Sequence, residues 1–265
     1  FAAEPTPEPV LANSFKTVLY TGTNADQNIS TSFAPDFVWI KSRDTTNFEH
    51  CLFDTVRGAG TTKVLFSDTT AAEGSSIAAP MNSFNPNGFT VSPRADGNAN
   101  VLVNKSGDDL VAWCWKAGGL PAINNEGSIE SIVSANAAAG FSVVKYTAGG
   151  AANVGHGLDS APELIITKNI DASEQWFVYS AATGLQKFLG LNTSTGATSN
   201  SGVYTSVTDT TFTNNISSTS RTYINYCFTS ITSYQKVGSY NGGSSGSSNV
   251  ITTGFKPSFL IVKRT

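Results

Sequence analysis

The chain repeats itself, and that repetition limits the folds open to it more than any other feature. Residues 15–43 read FKTVLYTGTNADQNISTSFAPDFVWIKSR, residues 141–169 read FSVVKYTAGGAANVGHGLDSAPELIITKN, and residues 234–265 read YQKVGSYNGGSSGSSNVITTGFKPSFLIVKRT. Each copy places a tyrosine (Tyr20, Tyr146, Tyr240) before a Gly/Asn/Ser-rich turn, then a proline, one polar residue, four mostly apolar residues and a lysine. The step from proline to lysine is six residues every time: 35 to 41, 162 to 168 and 257 to 263. A fixed interval within variable surroundings marks a duplicated structural unit. It points to an array of units rather than to one catalytic centre.

The first two copies run to a common end, LVAWCWKAG at 110–118 and YINYCFTS at 223–230, with Cys114 and Cys227 each between two aromatic residues. Pro35 to Cys114 spans 79 residues and Pro162 to Cys227 spans 65, so the units share strands and differ in loops. The expected organisation is a stiff Pro-rich lead-in over 1–14, a unit over 15–120, a linker over 121–140, a second unit over 141–233, and the start of a third, incomplete unit over 234–265. The lead-in has no basic stretch followed by an apolar one, so it does not read as a signal peptide. It reads instead as the continuation of something longer or as a processed end. A lone first hairpin buries no core. The third copy is therefore expected either to belong to a longer repeat array or to pair with another chain.

Short β-branched and aromatic runs such as TVLYT, FVWIK, KVLFS and FTVS, separated by turn residues, predict an all-β fold of tandem β-sandwich, jelly-roll-like units. The runs FVWI, LIIT and FLIV do not alternate, which implies cover on both faces. Val38 and Ile40 point one way, Phe37 and Trp39 the other. One set faces its own core; the other needs a long loop, the next unit or a second chain. This requirement is the physical reason to expect a homo-oligomer.

Charged residues are 13 % of the chain, about half the usual share, and the net charge is −3. Such a surface offers no footprint for nucleic acid or an anionic membrane. No apolar run approaches the length of a spanning helix, so membrane insertion is not expected. The three cysteines form no CxxC or CxH pattern and read as small buried hydrophobes, consistent with folding in a reducing cytoplasm.

Few residues carry recognisable chemistry. No paired acids at glycosidase spacing, nucleophile elbow or phosphate loop occurs, so no catalytic residue is assigned and the chain is not expected to be an enzyme. His156, in VGHGLDSAP, is either a turn histidine bonded to backbone or a ligand contact. Trp176, in SEQWFVYS, is either core or a stacking platform for a sugar. Asp108 and Asp109, in an SGDD turn, are the weak candidates for calcium, against the commoner role of capping a turn. No other cofactor is expected.

The segments FAPDFVWIKSR, HCLFDTVRGAG, NGFTVS, LVAWCWKAGG and AGFSVVKYT together resemble the tandem modules of tail-fibre-like and other virion-surface proteins of marine bacteriophages, a family of largely unknown function. The LFDTVRGAG…LFS stretch is also similar to concanavalin-like jelly rolls, as a fold analogy only. The resemblance implies a structural or adhesive virion appendage, made in the host cytoplasm and carried on the virion surface. Its implied partners are other virion proteins and a host-surface glycan, and fibrous appendages of this kind suggest a trimer. It also singles out Asp54 and Arg57 as a candidate binding pair, which the second copy lacks because FVYSAATG replaces LFDTVRGAG. Two alternatives stay open: a polysaccharide-degrading tail spike, and a purely architectural capsid or tail decoration protein.

Overall fold

A computed structural model of the protein describes residues 11–216, 219–243 and 249–265, so most of the Pro-rich lead-in lies outside the described residues. The chain is all-β. The first half contains β1 (Phe15–Thr21), β2 (Gln27–Ser30), β3 (Phe37–Ser42), β4 (Cys51–Asp54), β5 (Leu65–Phe66), β6 (Met81–Asn85), β7 (Gly88–Val91) and β8 (Asp109–Trp115). Next come β9 (Ala122–Asn124) and β10 (Ser131–Asn136). The second half contains β11 (Phe141–Ala148), β12 (Ala152–Gly155), β13 (Leu164–Asn169), β14 (Phe177–Ser180), β15 (Lys187–Gly190), β16 (Thr198–Ser199), β17 (Ser206–Val207), β18 (Thr211–Asn214) and β19 (Arg221–Phe228). Among the described residues no helix is long and apolar enough to cross a membrane.

The strand order β1-β8-β3-β4-β5 of the first large sheet recurs as β11-β19-β13-β14-β15 within the second, and β2-β7-β6 of the first small sheet recurs as β12-β18-β17. In each half the large sheet packs on its small partner. Val38, Ile40, Cys51, Phe53, Ala112 and Cys114 fill the first core with Phe89 and Val91. Val144, Tyr146, Ile165, Phe177 and Cys227 fill the second with Phe212. The motif tyrosines occupy matching places: Tyr20 meets Phe89 edge-on at 6.5 Å, and Tyr146 meets Phe212 at 6.2 Å. All three cysteines are buried and unpaired, and burial raises each thiol above its ordinary value.

The second faces of the large sheets cover each other. Phe37, Trp39, Leu52 and Trp115 from the first half meet Phe141, Ile166, Val178, Tyr226 and Phe228 from the second in a third apolar core. Phe37 stacks on Tyr226 with ring centres 4.2 Å apart. The two-faced strands thus find their cover within the chain, and their greasiness requires no second molecule.

Polar side chains at the strand ends repeat as well. Lys41 Nζ donates to the carbonyls of Phe48 (2.7 Å) and Thr45 (3.4 Å). Lys168 Nζ donates to those of Glu174 (2.8 Å) and Thr70 (3.0 Å), and its burial lowers the ammonium to about 8. Asp44 accepts from the Asp109 N–H at 2.6 Å, and Asp171 accepts from the Thr222 N–H at 2.6 Å. The motif lysine therefore closes the loop after its strand, and the following aspartate ties that loop to the start of the last strand.

One boundary needs correction. Residues 121–140 are no linker: β9 and β10 pair with each other and β10 pairs with β11, widening the second large sheet to eight strands. The serines of SIVSAN mask its alternation, in which Val133 faces the second-half core and Ile132 the core between the sheets. The third copy forms no strand among its described residues; its FLIV run lies in irregular backbone over the first half.

Because one apolar layer joins both halves, they should unfold together. Phe37→Ala removes a ring 2 % exposed from that layer and should cost about 3–5 kcal/mol in denaturant unfolding. Tryptophan fluorescence and far-UV circular dichroism should report one coincident transition in the parent chain; two separated transitions would show that the halves are independent.

Candidate functional site

Two places gather polar chemistry, one enclosed between the sheets and one open at the seam. The enclosed one begins with the turn after β4. Asp54 closes it by accepting the Arg57 N–H on Oδ1 at 2.8 Å and Arg57 Nε on Oδ2 at 2.6 Å. The rest of the guanidinium is filled by the Lys63 carbonyl (2.6 Å), Glu73 Oε1 (3.0 Å) and the Leu52 carbonyl (3.1 Å). Tyr226 reaches in from the second half, donating its hydroxyl to Asp54 Oδ2 at 2.8 Å, and Lys63 holds the outer oxygen of Glu73 at 3.0 Å. Burial raises the Tyr226 phenol well above its ordinary value, so it remains a donor. Asp54 beside Arg57 keeps the guanidinium charged despite its burial.

This network is a latch between the sheets. Neighbouring contacts cross the same layer: Trp176 Nε1 donates to the Phe66 carbonyl at 2.8 Å, and Lys145 Nζ to that of Val56 at 3.3 Å. Glu73 N–H donates to Ile170 O at 3.0 Å and Glu174 N–H to Thr70 O at 2.9 Å, joining loops of the two halves.

The residues expected to meet a ligand sit elsewhere than expected. Asp54 and Arg57 are enclosed and filled by protein partners. Trp176 is fully buried and offers no face on which a sugar could stack. His156 is also fully buried: its Nδ1 accepts the Leu158 N–H at 3.1 Å, so the neutral ring carries its proton on Nε2, 3.1 Å from the Thr208 carbonyl. That is the backbone-bonded turn histidine. Asp108 accepts from Ser42 (3.0 Å) and Thr45 (2.5 Å) and pairs with Lys105 at 2.9 Å, while Asp109 faces Thr21 and lies 3.9 Å from Arg43. These contacts make a capped turn, and no group of three or more His, Cys, Asp or Glu able to hold a metal occurs among the described residues.

The open place is a groove of about 500 Å³ where the halves meet, lined by Trp39, His50, Asp68, Trp113, Asn192 and the 259–263 segment, among others. Trp39 Nε1 donates to His50 Nδ1 at 2.9 Å, which fixes the proton of the neutral imidazole on Nε2. The His50 backbone N–H donates to Asp68 Oδ1 at 3.2 Å. Trp113 meets Trp39 edge-on at 6.4 Å and lies 5.1 Å from Phe259. Sequence reading missed this groove because Trp39 and Trp113 lie in core-like strands; the available signal was that the second copy has Ile166 and Tyr226 at those positions. Tyr226, as a hydroxyl inside an apolar layer, was legible in the same way. Glu73 sits in a loop without periodicity and gave no signal.

Fold and site together define an all-β, sandwich-like protein whose two large sheets are latched by the Tyr226 hydroxyl donating to a buried Asp54–Arg57 pair. The chain belongs to the family described as Domain of unknown function (DUF7483), which matches residues 11–265. No curated protein and no solved structure matches the chain.

Two outcomes follow. Arg57→Met leaves Asp54 buried beside an uncharged partner and should cost about 3–5 kcal/mol, whereas adding Asp54→Asn should recover part of that loss in a double-mutant cycle. An additive pair would show the Asp54–Arg57 contact to be energetically idle. Burial also lowers the affinity of His50 and His156 for a proton below the ordinary imidazole value of 6.5. The unfolded chain then binds the proton first as pH falls, so this stability is complete above about 6.5 and lost below it. Denaturation midpoints should fall from pH 7.5 to pH 5, and His156→Gln, uncharged at both, should narrow the difference.

Proposed function

We propose that the chain is a non-enzymatic structural and adhesive module of a virion appendage, a tail or surface fibre that presents loops for recognition of a host-surface glycan. The observation that carries this reading is the division of labour among side chains. The enclosed carboxylates and guanidinium hold the turn that receives Tyr226 from the other sheet, while aromatic and polar groups reach solvent where loops of both halves meet at the seam. A rigid frame with unequal loops is what a display scaffold requires. The half-buried Trp113, with Asp68, Asn192 and Ser194 around it, offers an apolar ring flanked by hydrogen-bonding groups, the combination that binds sugar rings. Synthesis in the host cytoplasm, location on the virion surface and assembly as a homo-trimer with other virion proteins complete the reading, and the buried unpaired cysteines fit folding in a reducing compartment.

Glycan-array screening of the full chain should give binding to a defined set of host polysaccharides, weakened by Trp113→Ala without a comparable loss of thermal stability. Release of new reducing ends on incubation with such a polysaccharide would instead establish a degrading spike. Location in the intact virion with no glycan or cell binding would establish a purely architectural part.

A further inference from the structure

The third copy of the motif lies along the seam groove and is held there at few points. Leu260, Ile261 and Val262 are 72, 42 and 58 % exposed, whereas Val38, Trp39 and Ile40 in the same register are at most 7 % exposed. Phe259 is half-buried, its ring 5.0 Å from Trp115, 5.1 Å from Trp113 and 6.1 Å from Trp39. Thr17 donates its hydroxyl to the Ser258 carbonyl at 3.4 Å, and Lys263 Nζ donates to the Thr193 carbonyl. Among the described residues, no backbone–backbone hydrogen bond ties 249–265 to the rest of the chain.

The lysine contact has a counterpart between the first two copies. Cys51 pairs with Phe66 and Phe177 with Gly190, so the loops that follow β5 and β15 occupy matching places in the two halves. Asp68 in the first loop accepts the backbone N–H of His50, and Asn192 in the second accepts that of Trp176 at 3.0 Å. Lys168, the motif lysine of the second copy, donates to the Thr70 carbonyl of the first loop, and Lys263, the motif lysine of the third, donates to the Thr193 carbonyl of the second. Each loop thus receives the lysine of the copy after it. The two joints differ in what supports them. Lys168 is fully buried, also holds the Glu174 carbonyl at 2.8 Å, and extends from a strand paired on both sides. Lys263 extends from a segment in no sheet. With so few hydrogen bonds and buried apolar groups, such a segment opens at a small fraction of the cost of global unfolding.

Phe259 stands against both tryptophans that line the groove. It therefore shares the indole surface with any ligand that enters. We propose that residues 257–263 are a clasp on the seam groove, a lysine hook and an aromatic plug that lift together to admit a ligand to Trp39 and Trp113. The clasp rests on the glycan reading only for the nature of that ligand. Closure lowers the apparent affinity by the fraction of molecules in which the clasp is open, and weakening either anchor removes that cost.

Hydroxyl-radical footprinting of the full chain, read by mass spectrometry at Trp113, tests the clasp without a ligand. Phe259→Ala and Lys263→Met should each raise Trp113 oxidation at least about threefold and leave the thermal unfolding midpoint unchanged. Lys263→Met is the decisive variant, because it keeps the Phe259 ring, so greater labelling reports lifting rather than loss of cover. Unchanged Trp113 oxidation in Lys263→Met, or a midpoint that falls as for a core substitution, would overturn the proposal. Both variants should also bind a glycan found on the array at least about threefold more tightly. Equal or weaker binding would overturn the clasp, showing these side chains to be part of the ligand's own site. If no glycan binds, the glycan reading falls, and the Trp113 labelling alone decides the clasp.

Discussion

The structure depends on the apolar layer between the two large sheets. A sheet in a two-layer sandwich has one dry face and one wet one, and its strands alternate accordingly. Here the wet faces have been made apolar and set against each other, so Phe37 meets Tyr226 and Trp115 lies near Phe141 and Phe228. Four sheets thus stack into one body with three apolar layers. Mean hydropathy stays near zero because the same strands are counted for two layers while polar loops cover the rest.

Burying this much surface on both sides leaves few ways to fix the register of one sheet on the other, since apolar contacts are non-directional. Directional contacts supply it. Asp54, Arg57 and Tyr226 join turn to strand across the layer, and Trp176 donates from one half to a backbone carbonyl of the other. Such a buried pair gives less net stability than its short distances suggest, because each charge gave up its hydration. Its value lies in admitting only one alignment.

The sequence made the strands legible where β-branched and aromatic runs met turn residues, and it located the common ends of the repeat at Cys114 and Cys227. It also showed that FVWI has two buried faces, without showing what covers the second, because pairing between distant surfaces leaves no local pattern. β10 escaped notice because serines at Ser131 and Ser134 are buried yet read as polar. His156 and Trp176 were chosen by chemical type and Asp54 and Arg57 through the family resemblance, and all four proved to be enclosed. Residue type announces that a group needs a partner. It does not say whether the partner is a ligand or the protein itself. The seam groove was hidden for the opposite reason: its tryptophans belong to strands whose neighbours are core.

The position of the Asp54–Arg57 pair also bears on how the molecule meets its solvent. Both side chains are at most 1 % exposed, so mobile ions cannot enter between them and screen their attraction. The surface pairs, such as Arg43 with Asp109, are open to counter-ions and fade as salt rises. The turn that receives Tyr226 from the second half is therefore shaped by charges that ionic strength does not reach, and this contact across the layer should keep one geometry from dilute buffer to concentrated brine.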